Sequence, residues 1–151
     1  MTTKSSDKLS LQISRVINAP RDRVYAAWTD PKQLLQWFGP ETVQTKQIIA
    51  DVRIGGEFRW DVVNRDGENM TVHGQYREVE PGRRIVFTWQ WDDDENWEKH
   101  VSVVTVELSD ANGGTEVRLT HDQLPNEKSR DNHEQGWNSV LNKLENFCGK
   151  P

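Results

Sequence analysis

Apolar and polar residues alternate with a period of two over most of the chain, which is the pattern of half-buried β-strands. A first strand is predicted over residues 9–18, where leucine, isoleucine and valine residues are interspersed with polar ones. The alternation resumes after Glu41 and continues to Gln123. Turn-forming pairs divide this second stretch, and six strands are predicted there. Three such pairs are Asp66-Gly67, Pro81-Gly82 and Asn112-Gly113.

Two short helices are predicted between the first strand and the others. Pro20 suits the first position of a helix, because its missing N–H would have no partner there. A second helix is predicted after Asp30, which is a suitable N-cap, with Pro31 at the first helical position. Gly39-Pro40 is expected to end it. Its inward positions are predicted to be Leu34, Leu35 and Phe38.

A longer helix is predicted to follow the strands, with Ser129 as its N-cap and Gly149 just past its last turn. The order of one strand, two helices, six strands and one helix shows no repeat or linker. It predicts a single α+β domain over residues 9–149 with an antiparallel sheet. Residues 1–8 are predicted to be a disordered tail. The apolar face of the long helix consists of Trp137, Val140, Leu141, Leu144, Phe147 and Cys148.

Composition supports a folded domain, although only 34% of the 151 residues are hydrophobic. The apolar material is concentrated in thirteen aromatic side chains, seven of them Trp. Together these could bury about 2,600 Å².

A net charge of −5 and a pI near 5.4 argue against nucleic acid as a partner. No apolar run could span a membrane, no signal-peptide pattern is seen, and one cysteine excludes an intrachain disulfide. A cytoplasmic protein is therefore expected.

The first turns of the long helix carry small and polar residues on the face that Trp137 continues. Extending that face backwards gives Gly136 and His133. A helix packed on the sheet along its whole length would have leucine or valine there. One interpretation is a cavity under the helix, since cavities with aromatic walls and a few polar groups are the usual small-molecule sites. The other is a helix end that leaves the core for solvent.

Two histidines share the parity of inward-facing residues. His121 is in phase with Leu119, and His100 is in phase with Val104. A hairpin at Asn112-Gly113 would bring the two imidazoles near each other on one face. Inward imidazoles could orient a polar ligand group, bind a metal or transfer a proton. Alternatively, they are core histidines that each satisfy a hydrogen bond.

Standard catalytic and metal-binding motifs are absent from the sequence. His133-Glu134 begins like a zinc-binding HExxH motif, but Trp137 stands where its second histidine would be. No catalytic residue, metal or cofactor is therefore predicted. The charged segment 92–96 is predicted to be a solvated loop, and Trp97 is expected to be exposed at a rim. His73 is predicted to lie on the surface.

Five segments occur along the chain in the order INAPRDRVYAAWTDPKQLLQWFGP, DVRIGGEFRW, HGQYREVEPGRRIVFTWQW, TEVRLTHDQLP and HEQGWNSVLNKLENF. Together they resemble the SRPBCC (START-like) superfamily. Within it, the chain is similar to the activator of heat-shock-protein-90 ATPase homologue family, in its C-terminal-domain-like form. The similarity runs from about Leu9 to Phe147. It implies a helix-grip fold, in which a curved antiparallel sheet wraps around a long C-terminal helix with a cavity between them.

The resemblance also implies which residues line the cavity or its rim. Family members include binders of hydrophobic ligands, aromatic-polyketide cyclases and co-chaperones, so the fold alone does not decide the function. The leading hypothesis is non-catalytic binding of a small hydrophobic or amphipathic ligand. The alternatives are a co-chaperone-like module with a chaperone partner, and a polyketide-cyclase-like or hydrolase enzyme that uses His100 or His121 as a base. The implied ligand-binding residues are Trp28, Trp37, Phe38, Trp60, Phe87, Trp89, His100, His121, His133, Trp137 and Leu141.

Overall fold

A computed structural model describes residues 9–92 and 94–149, so the predicted tail at 1–8 lies outside the described residues. The order of elements is the one that the pattern predicted, with one strand, two helices, six strands and a final helix. The strands are β1 (Leu11–Ile17), β2 (Val43–Ala50), β3 (Glu57–Asn64), β4 (Asn69–Glu80), β5 (Arg84–Trp91), β6 (Ser102–Ala111) and β7 (Gly114–Asp122). The helices are α1 (Arg21–Thr29), α2 (Pro31–Trp37) and α3 (Glu127–Gly149), with a single 3₁₀ turn at Glu95–Trp97.

The seven strands form one antiparallel sheet in the order β1-β7-β6-β5-β4-β3-β2. Irregular registers in β2, between Thr45 and Gln47, and in β4, between Tyr76 and Glu78, bend the sheet. The curled sheet surrounds α3 on one side. Because alternate residues of each strand point inward, one face of the sheet supplies the core and the other faces solvent.

The long helix α3 is held at several points along its length. On the β1 side, the Arg15 guanidinium donates to Oδ1 of Asn142 at 2.6 Å and to Oδ1 of Asn138 at 2.9 Å. Near the end of the helix, Arg23 donates to the main-chain oxygen of Phe147 at 3.0 Å. These bonds fix the position of α3 over the sheet, and therefore the space between the two.

Three local predictions were wrong. Leu35 was expected inside but is 50% exposed, because the seven-residue helix α2 turns Trp37 inward together with the correctly predicted Leu34 and leaves Leu35 outside. Trp97 was expected at an exposed rim but is only 2% exposed, since the 3₁₀ turn folds its ring back to 5.5 Å from the His133 ring. Ser129 was expected to cap α3, but the helix begins earlier, at Glu127.

Asn126 takes the capping position, because its Oδ1 accepts from the Ser129 main-chain N–H at 2.8 Å. Asn126→Ala should therefore lower the free energy of unfolding by about 1 kcal/mol. Ser129→Ala is the control and should change it by less than about 0.5 kcal/mol. Urea denaturation of both variants measures the difference. A larger loss for Ser129→Ala would place the cap back at the position that the sequence suggested.

Candidate ligand-binding pocket

A pocket of about 480 Å³ lies between the curled sheet and the N-terminal half of α3. Its floor is made of buried residues: Phe38, Trp60, Trp89, Trp137 and Val140. Its rim is polar: Glu41, Thr42, Arg65, Asn132, Gln135 and Ser139. Between floor and rim lie Pro40, Val43, Met70, Trp91, His133 and Gly136.

Aromatic packing restricts the open space to this end of the helix. The Phe38 ring lies 5.1 Å from the Trp60 ring and 5.8 Å from the Trp137 ring, in edge-on arrangements. Behind it, the Trp28 and Trp37 rings pack edge to face at 4.8 Å. Such contacts are favourable beyond the area they bury. The interior is therefore filled with rings behind the pocket floor.

Gly136 accounts for part of the space. A Cβ built on this residue would have no atom within 4 Å. A glycine inside a helix costs about 1 kcal/mol relative to alanine. No packing contact requires the glycine here, so what it provides is room next to the helix backbone.

His133 connects α3 to β5 through both of its ring nitrogens. Nδ1 lies 2.7 Å from the Ser129 main-chain oxygen, so it carries the proton and donates. Nε2 then accepts from two indole N–H groups, Trp91 at 3.0 Å and Trp89 at 3.3 Å. Burial lowers the pKa of His133, although its bond to the Ser129 oxygen raises it. The imidazole is therefore a neutral acceptor in the pocket wall.

His121 lies beneath the floor, fully buried, with both nitrogens occupied. Its Nε2 is 2.8 Å from the Ser102 hydroxyl, which itself donates to the Trp89 main-chain oxygen at 2.7 Å. Nε2 is therefore the donor, and Nδ1 accepts from the Trp137 indole at 3.0 Å. Burial holds the pKa of His121 well below its ordinary value, and the neighbouring His133 lowers it further. No lone pair of His121 is left to accept a proton.

The segment between α2 and β2 forms one side of the rim and is tied to α3. The Glu41 main-chain N–H donates to the Ser139 hydroxyl at 3.1 Å. The Lys143 ammonium donates to the Gly39 main-chain oxygen at 3.0 Å. The rim and the helix therefore form one connected wall.

The eleven residues implied by the resemblance fall into three groups. Five line the pocket: Phe38, Trp60, Trp89, His133 and Trp137. Five are buried in the core beside or beneath it: Trp28, Trp37, Phe87, His121 and Leu141. His100 lies in the loop before β6, where its Nε2 contacts the Gln123 main-chain oxygen at 2.6 Å. Val104, not His100, pairs with His121 across the two strands.

The pocket also contains residues that the sequence reasoning did not select. Trp91 had a usable signal, since it shares the face of Trp89 on β5. Met70 and Val43 lie near strand ends, where alternation does not show whether a residue meets the core or a pocket.

Among residues 9–92 and 94–149, no group of three or more His, Cys, Asp or Glu side chains is placed to hold a metal ion. In the same ranges, no helix has the length and apolar character needed to cross a membrane.

A family model described as activator of Hsp90 ATPase homolog 1-like protein matches residues 18–149. The chain belongs to this family. A structure from Chromobacterium violaceum is 27% identical with a TM-score of 0.86, and covers 95% of this chain and 99% of that one. The AHSA1 protein from Silicibacter pomeroyi is 30% identical with a TM-score of 0.81, and covers 91% of this chain and 95% of that one. A comparison with curated proteins gives no significant match.

Membership of this family confirms the fold that the resemblance implied. The curled seven-stranded sheet around a C-terminal helix is the helix-grip arrangement of the SRPBCC superfamily. For this family the fold indicates binding of a ligand or of a protein, and the fold alone does not distinguish the two.

Proposed function

We propose that the protein binds a small hydrophobic or amphipathic molecule in the pocket, without transforming it. The observation that carries the proposal is an apolar, aromatic floor that opens to a polar rim. A pocket of about 480 Å³ is within the range that encloses most of a small organic molecule. The cytoplasmic location expected from the sequence is part of the same proposal.

The aromatic rings supply the affinity in this proposal. Each Å² of apolar ligand surface removed from water contributes about 25 cal/mol. A ligand seated on the floor would also lie against the faces and edges of Trp60, Trp89 and Trp137. The rim would contact the polar part of an amphipathic ligand and leave it partly in water.

Two alternatives have less support. The family description names a chaperone activator, but Trp97, which the sequence offered as a protein-binding residue, is packed against His133. An enzyme with a histidine base would need a free imidazole nitrogen near the ligand. Both nitrogens of His121 and of His133 are engaged, and Ser102 beside His121 is fully buried. His100, the other candidate base, is not among the residues that line the pocket.

Gly136→Leu should abolish ligand uptake, because the new side chain would occupy the pocket. Gly136→Ala is the matched control: it removes the same glycine and favours the helix similarly, but adds a single methyl group. The protein is incubated with a lipid and metabolite extract of its own cells, and native mass spectra record the adduct. The expected result is a stoichiometric adduct on the wild type and on Gly136→Ala. An equal adduct on Gly136→Leu would contradict the proposed site.

A further inference from the structure

We infer that His133 determines which ligands the pocket accepts, by occupying the indole donors of its wall so that the buried part of a ligand must carry no hydrogen-bonding atom. This inference rests on the proposed function, since it concerns the same pocket. It adds the chemical class of the ligand, an apolar ring system or hydrocarbon with its polar group at one end only.

All four indole N–H groups of the pocket wall donate hydrogen bonds within the protein. The indoles of Trp89 and Trp91 both donate to His133. The Trp60 indole donates to the Thr45 hydroxyl at 3.0 Å, and the Trp137 indole donates to His121. Each indole in the wall therefore has an acceptor within the protein, and none is free for a ligand.

His133 itself offers nothing to a ligand. Its Nδ1–H is donated to the Ser129 oxygen, and its Nε2 lone pair is shared by two donors. The polar groups that remain lie on the rim, including the Arg65 guanidinium, the Asn132 amide and the Gln135 amide. The pocket thus presents an apolar interior and a polar edge, and a ligand must match that division.

A polar atom placed against this wall would lose its water and gain no partner. Such a loss weakens binding by about fivefold to 150-fold for each group. The pocket therefore discriminates between molecules of the same shape that differ in one buried polar atom. A wall with free indole donors would not, because the donors would replace the lost water.

Two probes of equal shape test this. In 2-naphthylacetate the distal ring is pure hydrocarbon, whereas in quinolin-6-ylacetate one CH of that ring is replaced by a nitrogen acceptor. Both carry the same carboxylate, which the rim can leave in water. Isothermal titration calorimetry at pH 8, where the quinoline nitrogen is unprotonated, gives the ratio of the two dissociation constants.

Two variants of His133 separate its role from a structural one. His133→Leu removes the acceptor and leaves the N–H groups of Trp89 and Trp91 free in the wall. His133→Gln is the matched control, because its amide oxygen can accept in place of Nε2. The wild type and His133→Gln should prefer the naphthyl probe by at least about fivefold. In His133→Leu that preference should vanish or reverse.

Each outcome decides the question. Equal affinities on the wild type, or the same ratio in all three proteins, would overturn the inference and leave the proposed function intact. A wild type that binds neither probe would overturn both. If His133→Leu lacks a cooperative unfolding transition, a second comparison uses the wild type alone. The ratio of its dissociation constants for the two probes is compared with the ratio of the partition coefficients of naphthalene and quinoline. Cyclohexane offers no hydrogen bonds, so agreement with the ratio for transfer from water to cyclohexane supports the inference. Octanol does offer them, so agreement with the ratio for transfer from water to octanol overturns it.

Discussion

Phe38→Ala should lower the free energy of unfolding by about 3–5 kcal/mol, the cost of deleting a buried aromatic ring that its surroundings cannot replace. Phe38 is 3% exposed and packs against rings from α1, α2, the strands β3 and β5, and α3. Because it also forms part of the pocket floor, the void would be continuous with the pocket. Urea denaturation followed by circular dichroism measures the loss.

Leu35→Ala is the matched control, since Leu35 lies three residues before Phe38, in the helix α2 that Phe38 caps, but is 50% exposed. Leucine and alanine have similar helix propensities, so this variant should change the stability by less than about 0.5 kcal/mol. A loss below about 1 kcal/mol for Phe38→Ala would mean that the aromatic cluster closes over the missing ring. The floor of the pocket would then be adaptable rather than fixed.

Stability should decrease as the pH falls below about 6.5, the ordinary pKa of histidine. Burial lowers the pKa of His121 and of His133 in the folded protein. Between each folded pKa and 6.5 the unfolded chain therefore binds more protons than the folded one. Their stabilising contribution is complete above pH 6.5 and is lost as the pH falls towards the folded values. Each histidine can contribute a slope of about 1.4 kcal/mol per pH unit.

Urea denaturation at a series of pH values from 7.5 to 5 checks this expectation. With both histidines titrating in the unfolded chain, the slope should approach about 2.7 kcal/mol per pH unit. His133→Gln should remove one of the two contributions and reduce the slope accordingly. A free energy of unfolding that does not change over this range would mean that the folded protein and the unfolded chain protonate these imidazoles to the same extent. That result would contradict the assignment of both imidazoles as neutral acceptors of the indole hydrogen bonds.

The sequence predicted the elements well because each strand buries one face, and alternation records that directly. A gap next to Gly136 and His133, which line the pocket, was one of two interpretations of the small and polar residues on the inner face of the helix. The sequence did not distinguish Trp89, in the pocket floor, from Trp28, deep in the core. That difference depends on how far the helix lies from the sheet, which no local pattern encodes.

The loops explain the remaining errors. Trp97 follows charged residues, and its burial depends on a 3₁₀ turn that folds it over His133. His100 has the parity of a strand residue, but β6 begins only at Ser102. Lys99, just before His100, has a positive φ of 58°, which breaks the alternation there. Alternation indicates an inward face only within a strand, and His100 lies two residues before the first residue of β6.

Hydrogen bonds between tryptophan and histidine side chains hold the long helix at a defined distance from the sheet. Hydrogen bonds from Trp89 and Trp91 to His133, and from Trp137 to His121, have preferred lengths and directions, unlike contacts between apolar side chains. An apolar gap without them would tend to close as the helix settled onto the sheet. Here the helix is held at a fixed height along its first half. We therefore expect the pocket to keep this shape when a ligand binds, so that a ligand can enter without first separating two surfaces in contact.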